Sequence, residues 1–123
     1  MTNHQRLISN CLGLALLLTQ SPARAADKVD FAKDLWPVLQ QNCIKCHGPE
    51  KQKAKLRLDS LEASIKGGED GKVFEPGQSA KSSLVHSIAR LVEDDAMPPA
   101  DKGKPLTAEE VGLVRAWIDQ GAK

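Results

Sequence analysis

Two thiols and an imidazole lie close together in the segment Cys43-Ile44-Lys45-Cys46-His47. The spacing puts the two cysteines about one helical turn apart, so each can form a thioether with one of the two vinyl groups of a haem. The histidine that follows then lies under the iron and supplies its proximal nitrogen ligand. In an exported protein, this pattern predicts that Cys43, Cys46 and His47 hold one covalently bound c-type haem and its iron.

The C-x-x-C spacing also occurs in zinc sites, redox-active dithiols and ordinary disulfide loops. A zinc site needs four ligands, yet after the motif the sequence contains only one further histidine, His86, and no cysteine. A thioredoxin-like pair belongs to a βαβ unit, and the chain after the motif shows no strand-like alternation. The sequence therefore favours haem, with zinc, redox and disulfide sites as alternatives.

The N-terminus predicts the compartment. Arg6 precedes an apolar run over residues 7–19, and Ala23-Arg24-Ala25 is an A-x-A cleavage site. This pattern is typical of a secretory signal peptide, here residues 1–25, cleaved near Ala25. The run is shorter than the roughly 20 residues of a spanning helix, so an uncleaved membrane anchor is the weaker interpretation. Cys11 lies near the front of the run and is interpreted as part of the signal. We expect an exported, periplasmic bacterial protein.

Removal of residues 1–25 leaves Cys43 and Cys46 as the only cysteines, and two thioether bonds would use both. Without Arg6 and Arg24, 15 basic and 16 acidic residues remain, a formal charge of −1 with histidine neutral. A balanced charge favours neither a nucleic-acid partner nor a membrane surface. The mature chain is also expected to lack a membrane span.

Residues 26–123 are enough for one domain and too few for two. Large rings are scarce in this region: they are Phe31, Trp36, Phe74 and Trp117. A domain of this size has a marginal core, and a buried porphyrin would add the missing apolar mass. The expected fold is a small all-α domain of about four short helices and long loops wrapped around one haem.

Apolar spacing and capping signals predict the helices. The first runs over 30–41 with Asp30 as its N-cap, and either kinks at Pro37 or begins near Asp34. The second runs over 59–66, with a capping box between Asp59 and Glu62 and a stop at Gly67-Gly68.

A third helix is predicted over 79–91, with Leu84, Ile88 and Leu91 on one face and Val85 beside them. His86 falls off that face and is interpreted as a surface or edge residue. The last helix is predicted between the capping box Thr107–Glu110 and Gly121, with an apolar face that packs on the first helix. Its apolar positions are Val111, Val114, Trp117 and Ile118.

A sixth iron ligand would decide the function of such a haem. Met97 is the only methionine of the mature chain and lies in the polar loop Met97-Pro98-Pro99. The prolines restrict the backbone, which lowers the entropic cost of holding a weak thioether ligand. His/Met ligation raises the reduction potential and suits one-electron transfer. Alternatives are Met97 as core filler, His86 as ligand, or an open sixth position.

Taken together, these motifs resemble the c-type cytochromes, and within them the planctomycete-type cytochrome c domain (monohaem, class I-like). The resemblance extends from Phe31 to Ala122 and depends on an ordered set of motifs. These are Phe31, Leu35-Trp36-Pro37-Val38-Leu39, Cys43 to Pro49, Leu56-Arg57-Leu58-Asp59-Ser60, Gly67-Gly68-Glu69, Pro76-Gly77, Ser83-Leu84, Met97-Pro98-Pro99, Leu106-Thr107, Trp117-Ile118 and Gly121-Ala122. The resemblance implies that Cys43 and Cys46 carry the haem, His47 is the proximal ligand and Met97 the distal one.

The resulting hypothesis is an exported electron carrier that is not itself an enzyme. Its donor and acceptor would be redox proteins in transient contacts of under about 1,200 Å². Lys45, inside the motif, is a candidate steering charge for them, while the basic loop 51–57 is interpreted mainly as a solvated loop. The alternative is a haem-based small-ligand sensor or a weak peroxidase with a labile Met97.

Overall fold

Four α-helices joined by long loops and single helical turns make up the computed structural model, which describes residues 27–123. The helices are α1 (Trp36–Asn42), α2 (Leu61–Lys66), α3 (Ser83–Ile88) and α4 (Ala108–Asp119). Phe31–Leu35 forms a π-helical turn, and 3-10 turns lie at Lys53–Lys55, Ser79–Lys81 and Glu93–Asp95. Within 27–123 there is no β-strand, only two isolated bridges. The predicted all-α fold is confirmed.

The predicted signal peptide and its cleavage site near Ala25 lie outside the described residues. From residue 27 onward, no helix combines the length and the apolar character needed to cross a membrane.

The proline near the start of α1 explains the irregular first turn. Asp30 caps this segment as predicted, because its side chain accepts a hydrogen bond of 2.8 Å from the Lys33 backbone N–H. The backbone N–H groups of Asp34 and Leu35 both donate to the Asp30 carbonyl, which widens the turn. Pro37 then falls in the first turn of α1, where a missing N–H costs little. The chain therefore accommodates Pro37 with a wide turn before it.

The second helix begins one position later than the capping-box prediction. Ser60 is its N-cap and accepts a hydrogen bond from the Ala63 N–H at 3.1 Å. Asp59 instead accepts two hydrogen bonds from the Arg57 guanidinium, at 2.8 and 2.6 Å. Gly67 ends α2 with φ of 81°, as predicted, in a backbone conformation that favours glycine.

The predicted third helix is shorter than the apolar pattern indicated. Residues 79–81 form a 3-10 turn, Ser82 is extended, and α3 ends at Ile88. Val85 and Ile88 are buried, whereas Leu91 is 62 % exposed. The expectation that Leu91 belongs to the apolar face of this helix was wrong, because the helix ends before it.

The core is formed mainly by α4 against the turn at Phe31–Leu35. The predicted capping box is confirmed: Thr107 Oγ1 accepts from the Glu110 N–H, and the Glu110 carboxylate accepts from the Thr107 N–H. Trp117 is 2 % exposed and packs against Phe31 and Phe74, with ring centroids 5.7 and 5.1 Å apart. The predicted contact between the first and last helical segments is therefore confirmed.

Candidate functional site

The two cysteines and the histidine lie directly after α1, in a chain of overlapping turns. Cys43 is the C-cap of α1 and its N–H donates to the Leu39 carbonyl at 2.8 Å. The Cys43 carbonyl accepts from the N–H groups of Cys46 and His47, at 3.1 and 2.9 Å. This near-helical geometry puts the two cysteines one turn apart. Both are free thiols and half-buried.

The loop after the motif folds back over His47. The Cys46 carbonyl accepts from the Lys53 N–H at 2.9 Å, and the His47 carbonyl accepts from the Leu58 N–H at 2.8 Å. His47 Nδ1 lies 3.2 Å from the Lys53 carbonyl oxygen. A carbonyl can only accept, so Nδ1 is the donor of this hydrogen bond and Nε2 is the ring nitrogen left to bind a metal. Histidine ligands of metals commonly have this arrangement, in which the outer hydrogen bond fixes the ring.

An open cleft with a volume of about 220 Å³ lies beside the motif. Aliphatic side chains dominate the walls, and Leu58 and Ile88 are almost fully buried behind them. The lining residues are Gln41, Asn42, Cys43, Lys45, Cys46, His47, Ala54, Leu56, Leu58, Val73, Ser83, Leu84, Ser87, Ile88, Met97, Pro98, Pro99, Lys102 and Leu106.

Met97 lies on the same cleft, in the loop after the 3-10 turn Glu93–Asp95. Its N–H donates to the Ser87 carbonyl at the end of α3, at 3.0 Å. Its side chain is 38 % exposed, while the neighbouring Pro98 is buried. The fold therefore brings the thioether to the cleft that also holds both thiols and the imidazole, although Met97 is fifty residues away in sequence.

Burial affects the acidity of the Cys43 thiol. Desolvation, with a smaller contribution from the Glu110 carboxylate, raises the pKa of the Cys43 thiol to about 11. Cys43 is therefore a neutral thiol near pH 7. Thiol–disulfide exchange and zinc binding need a thiolate, so this environment favours neither.

His86 does not line the cleft. Its Nε2 lies 2.7 Å from the Ala80 carbonyl oxygen, and the residue is half-buried. The interpretation of His86 as an edge residue is consistent with this position. Within residues 27–123, no three histidine, cysteine or acidic side chains cluster in a way that could hold a metal ion.

Several cleft residues were not identified from sequence. Leu56 falls in the segment 51–57 that is interpreted as a solvated loop, and Leu58 directly follows it, yet both are buried and line the cleft. Their alternation with Arg57 is the signal of an extended segment with one apolar face. Lys102, at the cleft and paired with Asp101 at 2.9 Å, had no sequence signal.

Comparison with known proteins agrees with this site. A model of the planctomycete cytochrome C family matches residues 43–101, from the first cysteine of the motif to just beyond Met97-Pro98-Pro99. The motifs at 31–39 and 106–122 lie outside the match. No curated protein and no solved structure matches the chain. The match over residues 43–101 supports a c-type cytochrome domain in this chain.

Proposed function

We propose that this protein is an exported monohaem c-type cytochrome that transfers single electrons, with haem c bound by Cys43, Cys46, His47 and Met97. Its family is one of haem-binding electron-transfer proteins. The observation that carries the proposal is the joint position of two thiols, an imidazole and a thioether on the walls of one largely apolar cleft.

Each of the four donor groups suits one part of a haem. Each thiol can add its S–H across one vinyl group, which forms a thioether without loss of any atom. The His47 ring, held through Nδ1 by the Lys53 carbonyl, leaves Nε2 for the iron. Met97 supplies a soft sulfur ligand, and the leucine and isoleucine walls suit an apolar macrocycle.

A bound haem would supply the chemistry, a one-electron change of its iron between Fe(III) and Fe(II). The chain contributes position and environment. His47 and Met97 would hold the group through a nitrogen and a sulfur atom, and ligands positioned by the chain would keep the reorganisation small when the charge changes. The aliphatic walls exclude water, and a thioether ligand favours the reduced state relative to a second imidazole.

The remaining features concern export and partners. We propose that residues 1–25 are a signal peptide that is cleaved during export. The remaining domain, residues 26–123, is then periplasmic or otherwise exported. We also propose transient docking to a redox donor and acceptor at the cleft mouth, where the exposed Lys45 lies. In this proposal the chain makes no bond in a substrate and is not an enzyme.

Attachment is tested on the mature protein after acid–acetone extraction, by its pyridine haemochrome spectrum and intact mass. Covalent haem c is expected to survive extraction and add one haem to the mass of a chain that starts near residue 26. Cys43→Ser or Cys46→Ser should each leave a single thioether and shift the haemochrome band to longer wavelength. A colourless protein, or haem that is extracted, would contradict the proposal.

The exposure of Met97 favours one alternative, a small-ligand sensor or weak peroxidase in which this ligand is labile. The ferric spectrum separates the two. A low-spin spectrum with the far-red sulfur-to-iron band, lost in Met97→Ala, supports the carrier. A high-spin ferric spectrum, with peroxide binding directly to the wild-type protein, supports the alternative.

A further inference from the structure

The Met97-Pro98 segment is held at three points by residues that neither the haem motif nor the family match assigns a role. The Met97 N–H donates to the Ser87 carbonyl at 3.0 Å. The Arg90 guanidinium donates through Nη1 to the Pro98 carbonyl at 3.3 Å. On the far side, Gly103 packs so closely on the Pro98 ring that an added Cβ would lie 3.2 and 3.3 Å from two ring carbons.

The backbone at Arg90 explains how its side chain reaches this segment. Arg90 has a φ of 56°, in the left-handed region where a helix end usually has glycine. Its N–H donates to the Ser87 carbonyl at 3.1 Å, and the next N–H, of Leu91, donates to the His86 carbonyl at 2.9 Å. These two bonds reverse the chain after α3. The left-handed backbone is sterically strained for an arginine, whereas a glycine would adopt it without strain.

The side-chain contact of Arg90 is to the loop and not to its own helix. A guanidinium that only capped α3 would donate to the last carbonyls of that helix. Arg90 donates instead to the carbonyl of Pro98, eight residues later. Among residues 27–123, Arg90 forms no salt bridge that would give its charge another role. Hydrogen bonds from a charged donor are stronger than neutral ones.

We propose that Arg90 is a positioning residue for Met97, which fixes the thioether at the cleft through the Pro98 carbonyl. The inference rests on the proposed function, in which Met97 is the distal iron ligand. A thioether is a weak ligand. The fraction of Met97 that is bound therefore depends on the free energy needed to hold the loop in the conformation that presents its sulfur. Loosening the loop would lower that fraction.

The test uses the ferric holoprotein and imidazole, a competing ligand that displaces the thioether. Imidazole is titrated while the far-red sulfur-to-iron band is followed. In Arg90→Gln we expect imidazole to bind about tenfold more tightly than in wild type, the change expected from loss of one charge-assisted hydrogen bond. Arg90→Lys, which keeps one charged donor, should give an intermediate affinity. Arg115→Gln, the same change at an exposed arginine of α4, should give the wild-type value.

Gly103→Ala is a second, independent variant, because it displaces the Pro98 ring without altering α3. It should also tighten imidazole binding, and it keeps the test available if Arg90→Gln fails to fold. Urea unfolding of every holoprotein shows whether an effect follows global stability. A shift in imidazole affinity without a matching loss of stability supports positioning.

Two results overturn the inference and can be told apart. If Met97→Ala abolishes the far-red band but Arg90→Gln and Gly103→Ala leave imidazole affinity unchanged, Arg90 does not position the ligand and the proposed function stands. If Met97→Ala leaves the far-red band in place, His/Met ligation is wrong, and the role of Arg90 fails with it.

Discussion

At the scale of single residues, a hydrogen bond to the His47 ring and a glycine beside it shape the site. The His47 ring has a hydrogen-bond partner in the Lys53 carbonyl. Lys53 begins the turn Lys53–Lys55, whose other two residues, Ala54 and Lys55, have left-handed backbones. Gly48, next to His47, lies against Ile44 of the motif. The environment of the imidazole is therefore set by backbone conformation on both sides.

Gly48→Ala is expected to destabilise the protein. An added Cβ would overlap the Ile44 carbonyl oxygen and lie 2.7 Å from Ile44 Cγ2. Overpacking of this kind costs about 1–3 kcal/mol, measured here by urea unfolding of the holoprotein. Gly112→Ala is the control, because a Cβ there meets no atom within 4 Å and Gly112 lies inside α4. It should stabilise by about 0.5–1 kcal/mol. Equal effects of the two substitutions would contradict the packing argument.

At the scale of elements, short helices are connected by polar side chains that bridge distant segments. The Asp119 carboxylate at the end of α4 accepts from the Ser79 N–H and from Ser79 Oγ, at 2.9 and 2.8 Å. Gln120 accepts from the Val29 N–H at 2.8 Å and donates to the Asp27 carbonyl. The last turn of α4 therefore fixes both the start of the described chain and the turn that precedes α3.

Asp119→Ala should lower the free energy of unfolding near pH 7, because it leaves the two Ser79 donors without their acceptor. The hydrogen bonds from the Ser79 backbone N–H and then from its hydroxyl hold the pKa of Asp119 below its usual value. A carboxyl with a depressed folded-state pKa stabilises above its unfolded pKa of about 3.9, and this stabilisation is lost as the pH falls through the folded value.

The difference between wild type and Asp119→Ala in urea unfolding should therefore shrink as the pH is lowered from about 7 to about 3. Asp119→Asn is the control: its amide oxygen can still accept one bond, and it does not titrate. A difference between wild type and Asp119→Ala that stays constant over this range would show that the charge of Asp119 has no part in the contact.

At the scale of the whole molecule, one small core and one cleft share the same elements. Trp117 lies at the centre of the core and its Nε1 donates to the Lys123 carbonyl at 3.2 Å, which also ties down the C-terminal residues. The cleft takes its walls from the motif after α1, from α3 and from the Met97 loop. Loss of core packing should therefore disturb the site from a distance.

Trp117→Ala is expected to cost about 3–5 kcal/mol, a large part of the 5–15 kcal/mol by which domains are stable. The physical reason is a cavity between Phe31 and Phe74, measured as a fall in the thermal midpoint of the holoprotein by circular dichroism. Trp36→Ala removes the same side chain from a half-buried position and should cost less. Similar losses for the two variants would place the centre of the core elsewhere.

Charge at the cleft mouth should affect electron exchange with charged reagents. Lys45 is exposed and lines the cleft, so Lys45→Glu reverses a charge beside the proposed redox centre. At low ionic strength, we expect the reduced variant to be oxidised more slowly by hexacyanoferrate(III) and faster by the cationic tris(phenanthroline)cobalt(III).

The matched control for this charge reversal is Lys81→Glu, since Lys81 is exposed but outside the cleft. It should change both oxidation rates less than Lys45→Glu does. The effect at Lys45 should also fade as salt is added. Lys45 does not steer partners if Lys45→Glu changes the rates with both oxidants in the same direction. The same conclusion follows if Lys45→Glu and Lys81→Glu change the rates equally.

Features that depend on neighbours a few residues apart could be predicted from the sequence alone. The one-turn spacing of Cys43 and Cys46, the Thr107–Glu110 capping box and the stop at Gly67 are of this kind, because each is set within about one turn of chain. Helix boundaries were less predictable. Ser60 displaced Asp59 as a cap because Asp59 pairs with Arg57, and α3 ended early at a left-handed arginine.

The surroundings of the motif depend on contacts between segments that are distant in sequence. The sequence offered Met97 as a candidate ligand, but its place on the same cleft as His47 depends on how the loop at Met97 packs. The hydrogen bond from Arg90 to the Pro98 carbonyl left no local pattern in the sequence. Contacts such as Ser79 with Asp119, forty residues apart, form because folding packs distant segments around one small core. The residue types that can bind a haem are therefore a property of the sequence, and their arrangement around one cleft is a property of the fold.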